Sequence, residues 1–208
     1  MTARIAAAIV SLAALVETAA PARAIETTDT LPGGRADLEV KGRYARNPSD
    51  AALRLASTIS IGLAPGLQAS VGSRLLRIDP DDGSPHSGFG DTFVDAKYRA
   101  IDEHAMWPAL AVVPAVRFPT GRPAQGLGAP GYDAGVLVAV SKSAGPVTVT
   151  GNAGWTFLTA EEENASDAWT IVVGVNYAIN SAWALSAEST NTIGTRNADT
   201  AVLRAGST

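Results

Sequence analysis

From Leu38 onward the chain alternates apolar and polar positions with a period of two, in stretches bounded by Gly, Pro, Asn, Asp or Ser. Ala168–Ile179 is the clearest stretch. Trp169, Ile171, Val173, Val175, Tyr177 and Ile179 share one face, and Thr170, Val172, Gly174, Asn176 and Ala178 the other. In Pro146–Leu158, Val147, Val149, Ala153, Trp155 and Phe157 oppose Thr148, Thr150, Asn152, Gly154 and Thr156. The same pattern predicts strands at Leu38–Tyr44, Leu53–Leu63, Leu67–Ile78, Thr92–Ile101, Trp107–Phe118, Tyr132–Lys142 and Ala182–Thr192, with another starting at Thr200–Ala205. That makes about ten strands, in an all-β chain with little helical i, i+3, i+4 striping. Pro114 removes a ladder donor, so a bulge or local break is expected beside it.

The predicted connections alternate in length. Ala64–Gly66, Asp102–Met106, Ser143–Gly145 and Asn180–Ser181 are short, whereas Asp79–Gly90, Pro119–Gly131, Thr159–Asp167 and Ile193–Asp199 are longer and polar. The first, Ala45–Asp50, is intermediate. Short turns on one side and long loops on the other are the pattern of an up-and-down barrel crossing an outer membrane. In that frame the chain starts at the periplasmic end and Leu38–Tyr44 runs outward.

The amino terminus adds an address. Arg4 is followed by an uncharged run of 12 residues, Ile5–Val16, and then by Ala22-Arg23-Ala24. A basic start, a short apolar stretch and small residues at the cleavage positions form a secretory signal peptide. The run is well short of the roughly 18 residues a spanning helix needs. Residues 1–24 are therefore set apart as a leader, 25–208 form one β-barrel domain, and Ile25 is the expected mature start. No cysteine occurs, which excludes disulfides, thiolate metal sites and a lipoprotein anchor. A net charge of −4 without a basic cluster argues against nucleic acid as a partner.

Alternation does not say which face points outward. Aromatic residues gather near strand ends: Tyr44, Tyr98, Trp107, Phe118, Tyr132, Phe157, Trp169, Tyr177 and Trp183. That placement suits the girdles of a membrane barrel. The polar faces carry charges of both signs in mid-strand. Arg43, Arg54, Arg74, Asp95, Lys97, Arg99, Arg117 and Glu188 are the candidate lumen lining. Outer-membrane lipid and a small solute of unspecified identity are the expected partners. A structural or adhesive barrel binding through its loops, and a soluble periplasmic ligand-binding protein, are the alternatives.

Gly88-Phe89-Gly90-Asp91, followed by Ala96-Lys97-Tyr98-Arg99, resembles the GxGD…KYR element of the meta-pathway phenol-degradation outer-membrane family. Phe118-Pro119-Thr120-Gly121, Tyr132–Lys142 and Gly145–Phe157 follow in matching order, so the resemblance covers roughly 26–205. It implies a transporter-like barrel of about twelve strands closing on a terminal aromatic. This chain stops in its tenth strand, so a truncated carboxyl terminus is expected. Gly88–Asp91 reads as a turn in which the glycines allow a long loop to re-enter the barrel and Asp91 accepts backbone hydrogen bonds. A solute-contacting constriction is the sharper alternative.

No catalytic set stands out. Gly-x-Ser-x-Gly and phosphate-loop motifs are absent, and the two histidines, His86 in a polar loop and His104 in a short turn, are expected at opposite ends of the barrel. The chain is expected to be no enzyme and to carry no cofactor or metal. The acidic stretch Glu161-Glu162-Glu163 with Asp167, and Asp79, Asp81 and Asp82, read as solvated loops.

Overall fold

The computed structural model describes residues 25–46, 50–80, 83–158, 168–180, 183–194 and 204–207. The leader, Asp81, Asp82, the acidic residues Glu161–Glu163 and Asp167, and the start of the last predicted strand lie outside them. Ten antiparallel strands follow one another in a single meander: β1 (Ala36–Arg46), β2 (Asp50–Ala64), β3 (Leu67–Pro80), β4 (His86–Ile101), β5 (Ala109–Phe118), β6 (Asp133–Ala144), β7 (Val147–Leu158), β8 (Ala168–Ala178), β9 (Ala184–Gly194) and β10 (Arg204–Ser207). One 3₁₀ turn, Pro123–Gln125, interrupts the β5–β6 connection. Among the described residues no pairing joins β10 to β1, so these two strands are the edges of the sheet.

Nine predicted strands are present and Arg204–Ser207 overlaps the end of the tenth, but two expectations need correction. Connection lengths alternate clearly only from β5 onward. The predicted loop Asp79–Gly90 shrinks to residues 81–85, and β4 begins at His86, six residues earlier than the pattern suggested. His86 is thus a strand residue. The reason is a bulge. Ser73 pairs with Thr92 and Leu75 with Phe89, so Gly90 and Asp91 together oppose Arg74. An extra residue flips the side-chain parity, which hides the strand from a period-two search. Pro114 behaves differently from a bulge. Strand β5 runs through it in unbroken register with β6, while the β4–β5 ladder skips the pairs around it. The register shift in that ladder lies instead between Arg99 and Ile101.

The sheet is curled. Ile25 reaches Glu188 on β9, while Leu31 reaches Gln68 on β3. Six residues span at most about 20 Å, whereas six interstrand spacings in a flat sheet are about 29 Å. The segment is a chord across the concave side.

Burial follows the curl. Ala111, Val113, Leu137 and Ala139 form a small buried cluster on the inward faces of β5 and β6. Among the described residues only eight apolar side chains are buried, most of them small, while thirty large apolar ones are exposed. The large apolar side chains thus lie on the outer face of the sheet and the polar ones on the inner face.

At the end where β1 starts, Ser143 N–H donates to Glu103 at 2.9 Å and Lys142 lies 3.2 Å from the same carboxylate, clasping two neighbouring turns. These bonds, the Ser143 amide first, hold the Glu103 carboxyl below its usual range, so the clasp is kept until pH falls through that lowered value.

Where the entering chain crosses β2, Gly62 leaves room for it. A Cβ there would lie 2.2 Å from the Pro32 carbonyl oxygen, whereas one on Gly151 would meet nothing within 4 Å. Gly62→Ala is expected to cost about 1–3 kcal/mol by overpacking and Gly151→Ala less than about 0.5 kcal/mol. Unfolding midpoints in urea compare the two.

Candidate functional site

The interior of the curled sheet gathers the polar chemistry. All eight predicted lining residues fall on inward-facing positions: Arg43 on β1, Arg54 on β2, Arg74 on β3, Asp95, Lys97 and Arg99 on β4, Arg117 on β5 and Glu188 on β9. They do not form one lining. The structure sorts seven of them into three groups, while Asp95 lies on β4 between Ser70 and Ala115 of the neighbouring strands.

The first group closes the end that carries the long β5–β6 connection, residues 119–132. Asp91 is 7% exposed and sits at its centre. It lies 2.6 Å from the Arg117 guanidinium, which also pairs with Asp133. Asp91 further accepts the backbone N–H of Gly121 at 3.0 Å and of Ala129 at 2.9 Å, and Arg117 donates to the Ala129 carbonyl at 3.1 Å. A charge removed from water is tolerated only when its lone pairs are filled in this way. The loop is thereby pulled inward until Leu127 is fully buried.

Glycines make the seat. A Cβ on Gly88 would come within 3.1 Å of the Leu127 side chain, and one on Gly121 would sit 2.3 Å from the Leu127 carbonyl oxygen. Phe89 points the other way and is exposed. Gly88-Phe89-Gly90-Asp91 and Phe118-Pro119-Thr120-Gly121 are thus two halves of one lock, joined from Gly121 N–H to Asp91. Asp91 accepts backbone bonds as its sequence suggested, but the loop that re-enters is 119–132 and not 79–90. Arg117 is a member of this lock.

The second group lies on β1–β3. Arg43 and Arg54 are direct cross-strand partners, and Arg74 lies one step further along, opposite Ala56. The Arg74 guanidinium stands 4.5 Å from the centre of the Phe93 ring, an inward aromatic that the sequence reading missed. Like charges placed directly opposite destabilise a sheet unless other groups offset them.

The third group holds the segment that leads into β1. Lys97, 5% exposed, pairs with the Glu26 carboxylate and donates to the Asp29 carbonyl at 3.0 Å. Arg99 lies 3.3 Å from the Asp29 carboxylate. Asn152 on β7 accepts the Glu26 N–H at 2.8 Å and donates to the Glu26 carbonyl at 2.8 Å, and Glu188 accepts the Ile25 N–H at 3.0 Å. Gln68, Asn152 and the segment Ile25–Leu31 itself carry no charge-row signal, which is why sequence reasoning passed over them. The only mark of Gln68 and Asn152 was an inward position in the alternation, and residues 25–31 precede its start.

His86 opens β4, and His104 lies in the turn beyond its far end. No group of three or more His, Asp or Glu residues fit to hold a metal occurs among the described residues.

Asp91→Asn leaves Arg117 with a single carboxylate and weakens two backbone contacts. It is expected to cost about 3–5 kcal/mol, as for breaking a buried ion pair, and to open the Leu127 peptide bond to a chymotrypsin-like protease. Urea titration and limited proteolysis read the two effects.

Among known proteins, residues 21–206 match the model of one family, described as "Putative MetA-pathway of phenol degradation". No curated protein matches the chain.

Proposed function

The chain belongs to that phenol-degradation family, and from this premise we propose that it is an outer-membrane barrel that passes small solutes across the lipid. The observation that carries the reading is the outward face. Leu55, Ile59, Val71, Val94, Val136, Val149, Ile171, Val173 and Val175 are exposed around the sheet. Exposed aromatics bracket this band on both sides: Tyr44, Phe89, Phe118, Tyr132, Phe157 and Trp169 toward the long-loop end, and Tyr98, Trp107, Tyr177 and Trp183 toward the other. On β8, Trp169 and Tyr177 are eight residues apart, about 26 Å along the strand at 3.3 Å per residue, or about 20 Å along the axis of a barrel tilted by about 40°. Ring radii extend this to the roughly 25 Å apolar height of outer-membrane barrels. A water-soluble protein rarely exposes an apolar patch above about 600 Å², which weighs against a periplasmic ligand carrier.

Passage of solutes rests on the interior. The arginine wall beside Phe93 offers a cationic and aromatic surface suited to amphipathic compounds, and the family description directs attention to aromatic ones. No acid–base or nucleophilic pair is part of this reading, which is of a conduit and not an enzyme.

Lipid exposure has a depth signature. Val173→Arg, at mid-band, is expected to cost about 2–4 kcal/mol in vesicles, and Tyr177→Arg, at the girdle, about 0–1 kcal/mol. Urea unfolding of the refolded protein in vesicles measures both, and equal small costs would exclude a lipid-facing band. Transport is tested separately, by solute influx into liposomes carrying the purified protein. Absence of flux, also from a chain whose interior has been cleared of residues 25–31, would sink the conduit.

A further inference from the structure

The interior already has an occupant. Ile25–Leu31 crosses it and touches strand after strand. Leu31 N–H donates to Gln68 on β3, Glu26 and Asp29 engage Lys97 and Arg99 on β4, Glu26 pairs with Asn152 on β7, and Ile25 reaches Glu188 on β9. Thr28, in the middle, is 3% exposed. On β8, the Ile25 side chain fills the space a Gly174 Cβ would need, 2.7 Å away. Asn152 treats Glu26 as a neighbouring strand would, with one donor and one acceptor to its backbone. The segment is held as a ligand is held, by side chains of the wall.

The first of these contacts falls on a particular atom. Ile25 is the residue that follows Ala22-Arg23-Ala24, and its nitrogen lies 3.0 Å from a Glu188 carboxylate oxygen whose partner oxygen accepts from Thr190. We propose that removal of the leader after Ala24 creates the binding group for this site: the new α-ammonium of Ile25 pairs with Glu188 and seats the segment as a strap across the bore. Hydrolysis of the Ala24–Ile25 bond by a signal peptidase consumes one water, leaving a carboxylate on Ala24 and an ammonium on Ile25. An amide nitrogen offers Glu188 one neutral donor. The ammonium offers three donors and a full opposite charge at a half-buried position, where such a contact is stronger than in open water. Export and closure of the interior are thereby coupled, since the strap reaches its full hold only in a processed chain. This deepens the conduit reading by giving it a closed state, and solute passage then requires the strap to shift.

The test uses the exported, mature protein in detergent. Its N-terminal residue is identified, and modification of the α-amine by a small water-soluble acylating reagent is followed by mass spectrometry of the N-terminal peptide. The expected result is Ile25 as first residue, an α-amine that reacts at least ten-fold more slowly in the folded than in the urea-unfolded chain, and slow hydrogen exchange at the Glu26 and Leu31 amides. Glu188→Gln should restore much of the reactivity. Should that variant not assemble, Asn152→Ala, which strips the Glu26 pairing, should do the same. A different mature start, or an α-amine equally reactive in folded and unfolded protein, overturns the proposal. Liposome influx with a chain lacking residues 25–31 should rise several-fold over the intact protein. No flux from that chain while the α-amine stays protected in the intact one would reject the conduit and leave the strap standing.

Discussion

The ladder that pairs backbone N–H and C=O groups from β1 through to β10 lets this sheet turn its large apolar side chains outward without presenting unpaired polar backbone between its two edges. With the apolar face spent on the outside, the inside must be stabilised by other means. It has little aliphatic bulk to pack: the buried cluster on β5 and β6 is two alanines, a valine and a leucine. Polar side chains must then find partners within reach, because an unpaired buried charge costs more than any single packing contact returns. Most of the interior can be derived from that requirement.

Two pieces of chain outside the strands supply the partners. The 119–132 loop brings backbone N–H groups to Asp91, and Ile25–Leu31 brings its own to Asn152, Gln68 and Glu188. In both cases a wall side chain captures main chain. Such capture is well suited to closing a barrel, since an incoming segment needs no apolar face of its own.

Strand existence and facing were legible because period-two alternation is a local property, and each strand keeps one lipid-like and one polar face. The inward placement of Arg43, Arg54, Arg74, Asp95, Lys97, Arg99, Arg117 and Glu188 followed from parity alone. Parity failed at Gly90–Asp91, where the bulge shifts the count and turned the first six residues of β4 into an apparent loop. The partnerships were not legible. Asp91 meets Gly121 and Ala129 across some thirty to forty positions, and Ile25 meets Glu188 across 163. No periodicity in a single strand encodes which inward side chain will meet a crossing segment. Small residues were the available trace: Gly62, Gly88 and Gly121 each stand where another stretch of chain passes.

Once the anchors are accounted for, the interior charges lose the appearance of a uniform lining. Asp91, Lys97, Arg99, Arg117 and Glu188 are committed to holding chain. The arginines of β1–β3 remain as a wall in which Arg43 and Arg54 face one another directly. A cross-strand pair of like charge costs stability when nothing offsets it. Anchoring therefore accounts for Asp91, Glu188 and the basic residues of β4 and β5, while Arg54 opposite Arg43 sets two like charges side by side. On the conduit reading, that wall is where a solute with negative charge or an electron-rich ring is met, next to Phe93. In that case the strap and the wall divide the interior between them, one occupying the bore and the other selecting what replaces it.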